Sequence, residues 1–231
     1  MILKILWPEI CPFCGKVYRE GICPACKFKL KKLSIEQPYC MCCGKPLRRM
    51  EQEYCHDCEN TEHFFDCGRA IWIHKPPVSH SIYQFKYHNQ RVFGKYYADE
   101  MLKKFESAIR RWNPDLIIPI PLHSQRKRKR GYNQSWIVAK ELGKRLHIPA
   151  SDRVLKRIRS TNPQKKLDHA TRKKNLYNAY VVTMIPVGVK KILLIDDIYT
   201  TGNTINEAAR KLKEAGIENV FFLTVSIGQG Y

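Results

Sequence analysis

The chain has 231 residues, with 41 Lys+Arg against 21 Asp+Glu, a formal charge of +20 and a pI near 9.6. Its 44% hydrophobic and 11% aromatic content excludes wholesale disorder, and no apolar run reaches the ~18 residues of a membrane-spanning helix. So large a positive charge points to a polyanionic partner. The opening segment, Met1 to Pro8, is apolar but too short for the core of a signal peptide, and no small-residue cleavage site follows it. The expectation is a cytoplasmic protein without membrane insertion.

All ten cysteines lie within the first 67 residues. Eight form Cys-x-x-Cys pairs: Cys11/Cys14, Cys23/Cys26, Cys40/Cys43 and Cys55/Cys58. Such a turn puts two sulfurs on one face of a tight loop, and two turns complete a tetrahedral thiolate shell around Zn²⁺. Eight residues separate the first two pairs and 11 the last two, so the simplest pairing is two consecutive ribbons; spacing leaves a crossed pairing open. Shells closed by four sulfurs have no place for water, so both zinc ions are expected to be structural. Residues 1–70 carry 11 Lys+Arg against 9 Asp+Glu, and residues 71–231 carry 30 against 12. The expected organisation is a zinc-ribbon module over residues 1–67 and a second domain over 68–231.

In the second part, apolar residues at helical spacing predict a helix over 98–112. A strand follows at Leu116–Pro121, then a helix over 134–147 and a strand near Val181–Thr183. Lys190–Ile195 reads as a buried strand, 204–215 as a helix stopped by Gly216, and Asn219–Ser226 as a last strand. Strands alternating with helices indicate an α/β fold with a parallel sheet, whose ligands bind beyond the carboxyl ends of the strands.

The segment from Ile192 to Thr204 carries the clearest chemistry. Four apolar residues lead to Asp196 and Asp197, and Thr200, Thr201, Gly202, Asn203 and Thr204 then open into a helix. Amides of such a turn and of a helix N-terminus bind phosphate. Two adjacent carboxylates suit vicinal ribose hydroxyls or a Mg²⁺ shell. A plain strand–turn–helix needs one capping oxygen, not this set. No Gly-Lys-Ser/Thr is present in the segment, which excludes a Walker loop there.

This stretch resembles the phosphoribosyl pyrophosphate (PRPP) signature of type I phosphoribosyltransferases, with Tyr199 where an aliphatic residue is usual. The Tyr is similar to that of one branch, the ComF (ComFC-like) family of competence proteins. Supporting segments are Ile118–His123 with Arg130-Gly-Tyr-Asn-Gln134, and Arg157 with Gln164, Leu167, Arg172 and Asn175. The resemblance covers nearly the whole chain, the cysteine-rich module included. It implies a Rossmann-like phosphoribosyltransferase fold and a PRPP pocket in which Asp196 and Asp197 act. Tyr199 and the loop Thr200–Thr204 would hold the phosphoribosyl group, with Ile120, Pro121 and Leu122 at the pyrophosphate. It also implies Mg²⁺, a flap over residues 154–176, and a role in DNA uptake beside an uptake helicase and recombination mediators. The pyrophosphate turn has no Lys or Arg, so the cation is expected from the basic segment after it.

That segment, residues 123–174, holds 17 Lys+Arg against 3 Asp+Glu. Arg126, Lys127, Arg128, Lys129 and Arg130 form an unbroken run, and Arg157 and Arg172 belong to a second cluster. Bordering aromatics, Tyr132, Trp136, Tyr177 and Tyr180, suit stacking with bases of single-stranded DNA. A second aromatic group, Tyr83 to Tyr97, reads as core. Two other functions fit the same motifs: a salvage phosphoribosyltransferase acting on a small base, and a non-catalytic PRPP or nucleotide sensor. Fold alone does not separate turnover from binding.

Overall fold

A computed structural model describes residues 9–159 and 177–228. The cysteine-rich segment contributes two short helices, α1 (Pro24–Leu33) and α2 (His56–Glu59), each entered directly from a cysteine. Cys67–Ile73 forms strand β1, and the Pro76-Pro77 step then separates it from helix α3 (Val78–Tyr87). Helix α4 (Phe93–Trp112) buries the stripe Tyr97, Ala98, Met101, Phe105 and Ile109 and ends on Asn113 in the left-handed region. Next come β2 (Leu116–Pro119), α5 (Ser124–Arg130) and α6 (Gln134–Leu146). The short strands β3 (Leu155–Arg157) and β4 (Tyr180–Val182) precede β5 (Lys191–Tyr199), α7 (Asn203–Glu214) and β6 (Asn219–Ile227).

The main sheet has the order β1-β6-β5-β2, all parallel, so every carboxyl end faces one edge. Strands buried on both faces read as continuous apolar runs, which is why β5 and β6 stand out in the sequence. Two apolar clusters sandwich the sheet. Leu193, Ile195, Leu223 and Val225 pack with α3, α4 and α6 on one face. Ile192, Leu194, Val220 and Phe222 pack with α7 on the other. β3 and β4 form a separate antiparallel ladder beside the second cluster. The resemblance-based flap begins at this ladder, and its Gln164, Leu167, Arg172 and Asn175 lie outside the described residues.

The cysteine-rich segment grips the β1 edge from both sides. Cys11, Phe13, Ile22, Cys23 and Cys26 join the first cluster, whereas Ile35, Cys40, Cys43 and Phe65 join the second. Backbone bonds fasten it: Ile35 N–H donates to the Ile71 carbonyl (3.2 Å), and Gly68 N–H donates to the Cys42 carbonyl (2.8 Å). A short cysteine module thus borrows the sheet's core to bury its own apolar residues, which suits a segment too small to build one. Among the described residues, no helix is long and apolar enough to cross a membrane.

Candidate functional site

β5 runs past its neighbour. Its pairing with β2 ends at Pro119 opposite Ile195, and Ile120 N–H donates the last bond to the Ile195 carbonyl. Asp196 and Asp197 therefore lie inside β5 rather than after it, on a stretch flanked only by β6. The in–out alternation slips here by one residue. Ile195 and Ile198 both pack on the first cluster, and Tyr199 on the second. The register with β6 stays continuous across it, from Asp196 opposite Thr224 to Tyr199 opposite Ile227, and the two acids reach Ser135 of α6 and Lys86 of α3.

Asp196 accepts a hydrogen bond from the Ser135 hydroxyl (3.0 Å), and Asp197 is paired with Lys86 Nζ (2.7 Å). Burial, then the neighbouring Asp197 carboxylate, pushes the Asp196 carboxyl up to about 7. Lys86 also brings a cation to the cleft beside the Pro119–Leu122 turn, which has none of its own. It comes from α3, more than thirty residues before the turn, and not from the basic segment alone.

The motif after the turn is a scaffold in which each residue has a task. Gly131, at φ +78°, ends α5 in the left-handed region. The Tyr132 hydroxyl donates to the Phe85 carbonyl and so anchors α3. Asn133 caps α6 through Ser135 N–H (3.1 Å) and donates to the Ile120 carbonyl (3.0 Å). Gln134 accepts from the Arg130 guanidinium (3.0 Å). One pentapeptide thereby sets the Pro119–Leu122 turn, the Ser135 hydroxyl and Arg130.

These elements enclose a cleft of about 390 Å³ lined by Ile120, Pro121, Leu122, Asp196, Asp197, Thr200 and Thr204. Arg126, Arg130 and Arg157 reach it, as do Lys86 and His74, which no sequence motif announced. Burial, then the charges of Arg157 and Arg130, lowers the Arg126 guanidinium from its usual range. Cations that repel one another across a cleft favour an anion between them. His74 Nδ1 lies 2.8 Å from the Ser226 hydroxyl at the far side.

Of the loop, Thr200 and Thr204 line the cleft, and Thr201, Gly202 and Asn203 connect them. Gly202 adopts φ +77° just before α7, and a Cβ there would collide with the Tyr199 hydroxyl. Tyr199 is a correction to the expectation. Its ring is buried, stacked at 5.0 Å on Phe222 with Phe65 at its edge, and it supports the loop from the core side instead of facing a ligand.

The basic run is the helix α5, with Arg126 and Arg130 turned to the cleft and Lys127, Arg128 and Lys129 outside it. The expected stacking aromatics need correcting too. Tyr132 and Tyr180 are buried, and Trp136 packs against the first cluster. Tyr177 is exposed beneath the Arg210 guanidinium. In the group read as core, Phe85, Phe93 and Tyr97 are core, but Tyr83 and Tyr87 are exposed on α3 with ring centres 5.0 Å apart. Arg130 lies over the Tyr87 ring at 4.8 Å and bonds its hydroxyl (3.0 Å). An exposed aromatic pair thus stands on α3 beside α5, and the 3.6-residue period of α3 was the signal that could have found it.

The cysteines pair consecutively. Cys11, Cys14, Cys23 and Cys26 form one set and Cys40, Cys43, Cys55 and Cys58 the other, each with all sulfurs within 4.8 Å. Cys14–Cys23 and Cys43–Cys55 sulfurs are 3.7 and 3.6 Å apart. A tetrahedral shell with Zn–S near 2.3 Å requires about 3.8 Å, so both sets fit Zn²⁺.

Comparison with known proteins agrees with this architecture. A family model described as a double zinc ribbon domain matches residues 2–59, and a phosphoribosyl transferase domain matches 129–227. Competence protein F of Haemophilus influenzae is 31% identical over 209 residues, spanning 88% of this chain and 89% of that protein. DNA utilization protein YhgH of Escherichia coli K12 is 28% identical over 211 residues, 85% of this chain and 86% of that one. Competence protein ComFC of Bacillus subtilis is 27% identical over 207 residues, 85% and 80% respectively.

Proposed function

The chain belongs to the ComF family of competence proteins, and on that basis we propose that it acts in natural transformation, binding incoming single-stranded DNA in the cytoplasm and a PRPP-type ligand in its cleft. The observation that carries the reading is the convergence of paired carboxylates, a helix-opening phosphate loop and four cationic side chains on one cleft. In this assignment the loop amides from Thr200 to Thr204 and the α7 N-terminus take the 5-phosphate. Asp196 and Asp197 take the ribose hydroxyls and the metal shell. Lys86, Arg126, Arg130 and Arg157 take the pyrophosphate beside Ile120, Pro121 and Leu122. Mg²⁺, when bound, neutralises pyrophosphate charge and so favours its departure.

Single-stranded DNA follows the rim, with Lys127, Arg128 and Lys129 on its phosphates and Tyr83 and Tyr87 under its bases. Zinc in the two four-cysteine sets is structural, and the implied partners are an uptake helicase and recombination mediators. A second reading, transfer to a small base, draws support from His74, an imidazole held by Ser226 at the cleft where a proton would have to move. Titrating PRPP with Mg²⁺, with and without single-stranded DNA, while following pyrophosphate release tests both. Saturable binding together with DNA binding supports the first reading; release that requires a free base supports the second. Failure to bind either PRPP or DNA contradicts the proposal.

A further inference from the structure

Beside the second four-cysteine set lies another group of metal-ligating atoms. Cys42, Cys58 and His63 place two sulfurs and one imidazole nitrogen within 4.8 Å of one another. Cys58 already belongs to the four-cysteine set, whereas Cys42 and His63 do not. Cys58 Sγ and His63 Nε2 are 3.5 Å apart. Tetrahedral Zn²⁺ with Zn–S near 2.3 Å and Zn–N near 2.0 Å requires about 3.5 Å between two such ligands.

The three residues are held in place independently. Cys42 is tied to β1 through its carbonyl, which accepts from Gly68 N–H at 2.8 Å. The His63 ring stacks on Phe65 at 4.5 Å, and the next residue, Phe64, bonds Asn206 of α7 at 2.7 Å. All three also line a pocket of about 540 Å³ beside the cysteine-rich segment, which Glu59, Glu62 and Asp66 border. Carboxylates at its wall favour a cation.

We propose that Cys42, Cys58 and His63 form a third metal site for a borderline transition metal such as Zn²⁺, with the Cys58 thiolate bridging to the metal of the four-cysteine set. Three protein ligands leave a fourth position open toward the pocket, the arrangement of exchangeable and not of closed structural sites. Charge favours it as well. One Zn²⁺ on four thiolates carries about −2, and a second Zn²⁺ with one more thiolate and a neutral imidazole brings the pair to about −1. The inference is independent of what occupies the cleft.

The test uses the full-length protein saturated with zinc, desalted and assayed for metal per chain. The expectation is three zinc ions, of which a mild chelator removes one, and two zinc ions in both Cys42→Ser and His63→Gln. Two ions in the zinc-saturated parent overturn the proposal, as do three in both variants. Fewer than two in either variant overturns it also, since that residue then belongs to a closed shell. A second readout needs no variant. On cobalt loading, the third equivalent is expected to lower the electron paramagnetic resonance intensity per cobalt, because ions sharing a thiolate couple. An additive rise contradicts the bridge.

Discussion

Lys86 Nζ lies 2.7 Å from Asp197 Oδ1, and the two side chains retain only 16% and 13% of their exposure. This pair joins α3 to the carboxylate end of β5 and balances one of two adjacent acids. Breaking a largely buried pair leaves a charge without its partner, at a cost on the order of 1–3 kcal/mol. Lys86→Met is expected to lower urea-unfolding stability by about that amount. Adding Asp197→Asn should recover part of the loss, which the full double-mutant cycle measures.

Asp196 gives a pH signature. Its carboxyl is raised from 3.8 to about 7 by burial, then by Asp197. Between those values the folded chain keeps a proton that the unfolded chain has released, so this group's contribution to stability declines as pH rises through the window. Asp196→Asn removes the cost, and the ligand-free melting temperature at pH 8 is expected to rise by roughly 2–4 °C. Binding runs the other way. A cation or ribose hydroxyl needs the ionised acid, so Mg²⁺-dependent affinity is expected to weaken as pH falls below about 7.

The loop that opens into α7 depends on the absence of a side chain at Gly202. Gly202→Ala is expected to destabilise the protein by about 1–2 kcal/mol from the positive φ alone, with a further loss from the clash with the Tyr199 hydroxyl. Tyr199→Phe in the same chain should restore some of the second part and none of the first, because the ring carbon would still lie 2.9 Å from the new methyl. Thermal melting of Gly202→Ala, of the double variant and of Tyr199→Phe alone separates the two contributions.

Most of the architecture was legible where signals are local. The apolar run of β5 with its acids, the Cys-x-x-Cys turns and the stripe of α4 each sit within one short segment. Lys86 was hidden because its importance arises only when α3 folds against a strand end more than a hundred residues later. Strand β1 was missed because its apolar stretch is short and begins with Cys67-Gly68-Arg69. Tyr199 was assigned by its place in the signature, and that place does not report that its ring packs in the core on Phe222 and Phe65. Tyr83 and Tyr87 were read by residue type, but Ile82 and Phe85 take the buried face of α3 and leave those tyrosines exposed.

If single-stranded DNA follows the rim as proposed, charge and stacking contribute to its binding in separable ways. Replacing Lys127, Arg128 and Lys129 with Gln is expected to flatten the slope of log K against log[salt] by roughly 0.7 for each single-strand phosphate no longer neutralised. Tyr83→Ala with Tyr87→Ala removes stacking, worth about 1–3 kcal/mol per base, and is expected to weaken binding with little change in slope. Fluorescence anisotropy over a salt series distinguishes the two.

Every role assigned to the cleft rests on the Asp196–Asp197 step and the loop after it forming a PRPP-type site. The decisive measurement is calorimetric titration of PRPP into the full-length protein, with and without Mg²⁺, repeated on Asp196→Asn with Asp197→Asn. Saturable Mg²⁺-dependent binding to the parent, abolished in the double variant while the fold persists by circular dichroism, is the expected result. Equal binding by both proteins, or none by the parent, contradicts it.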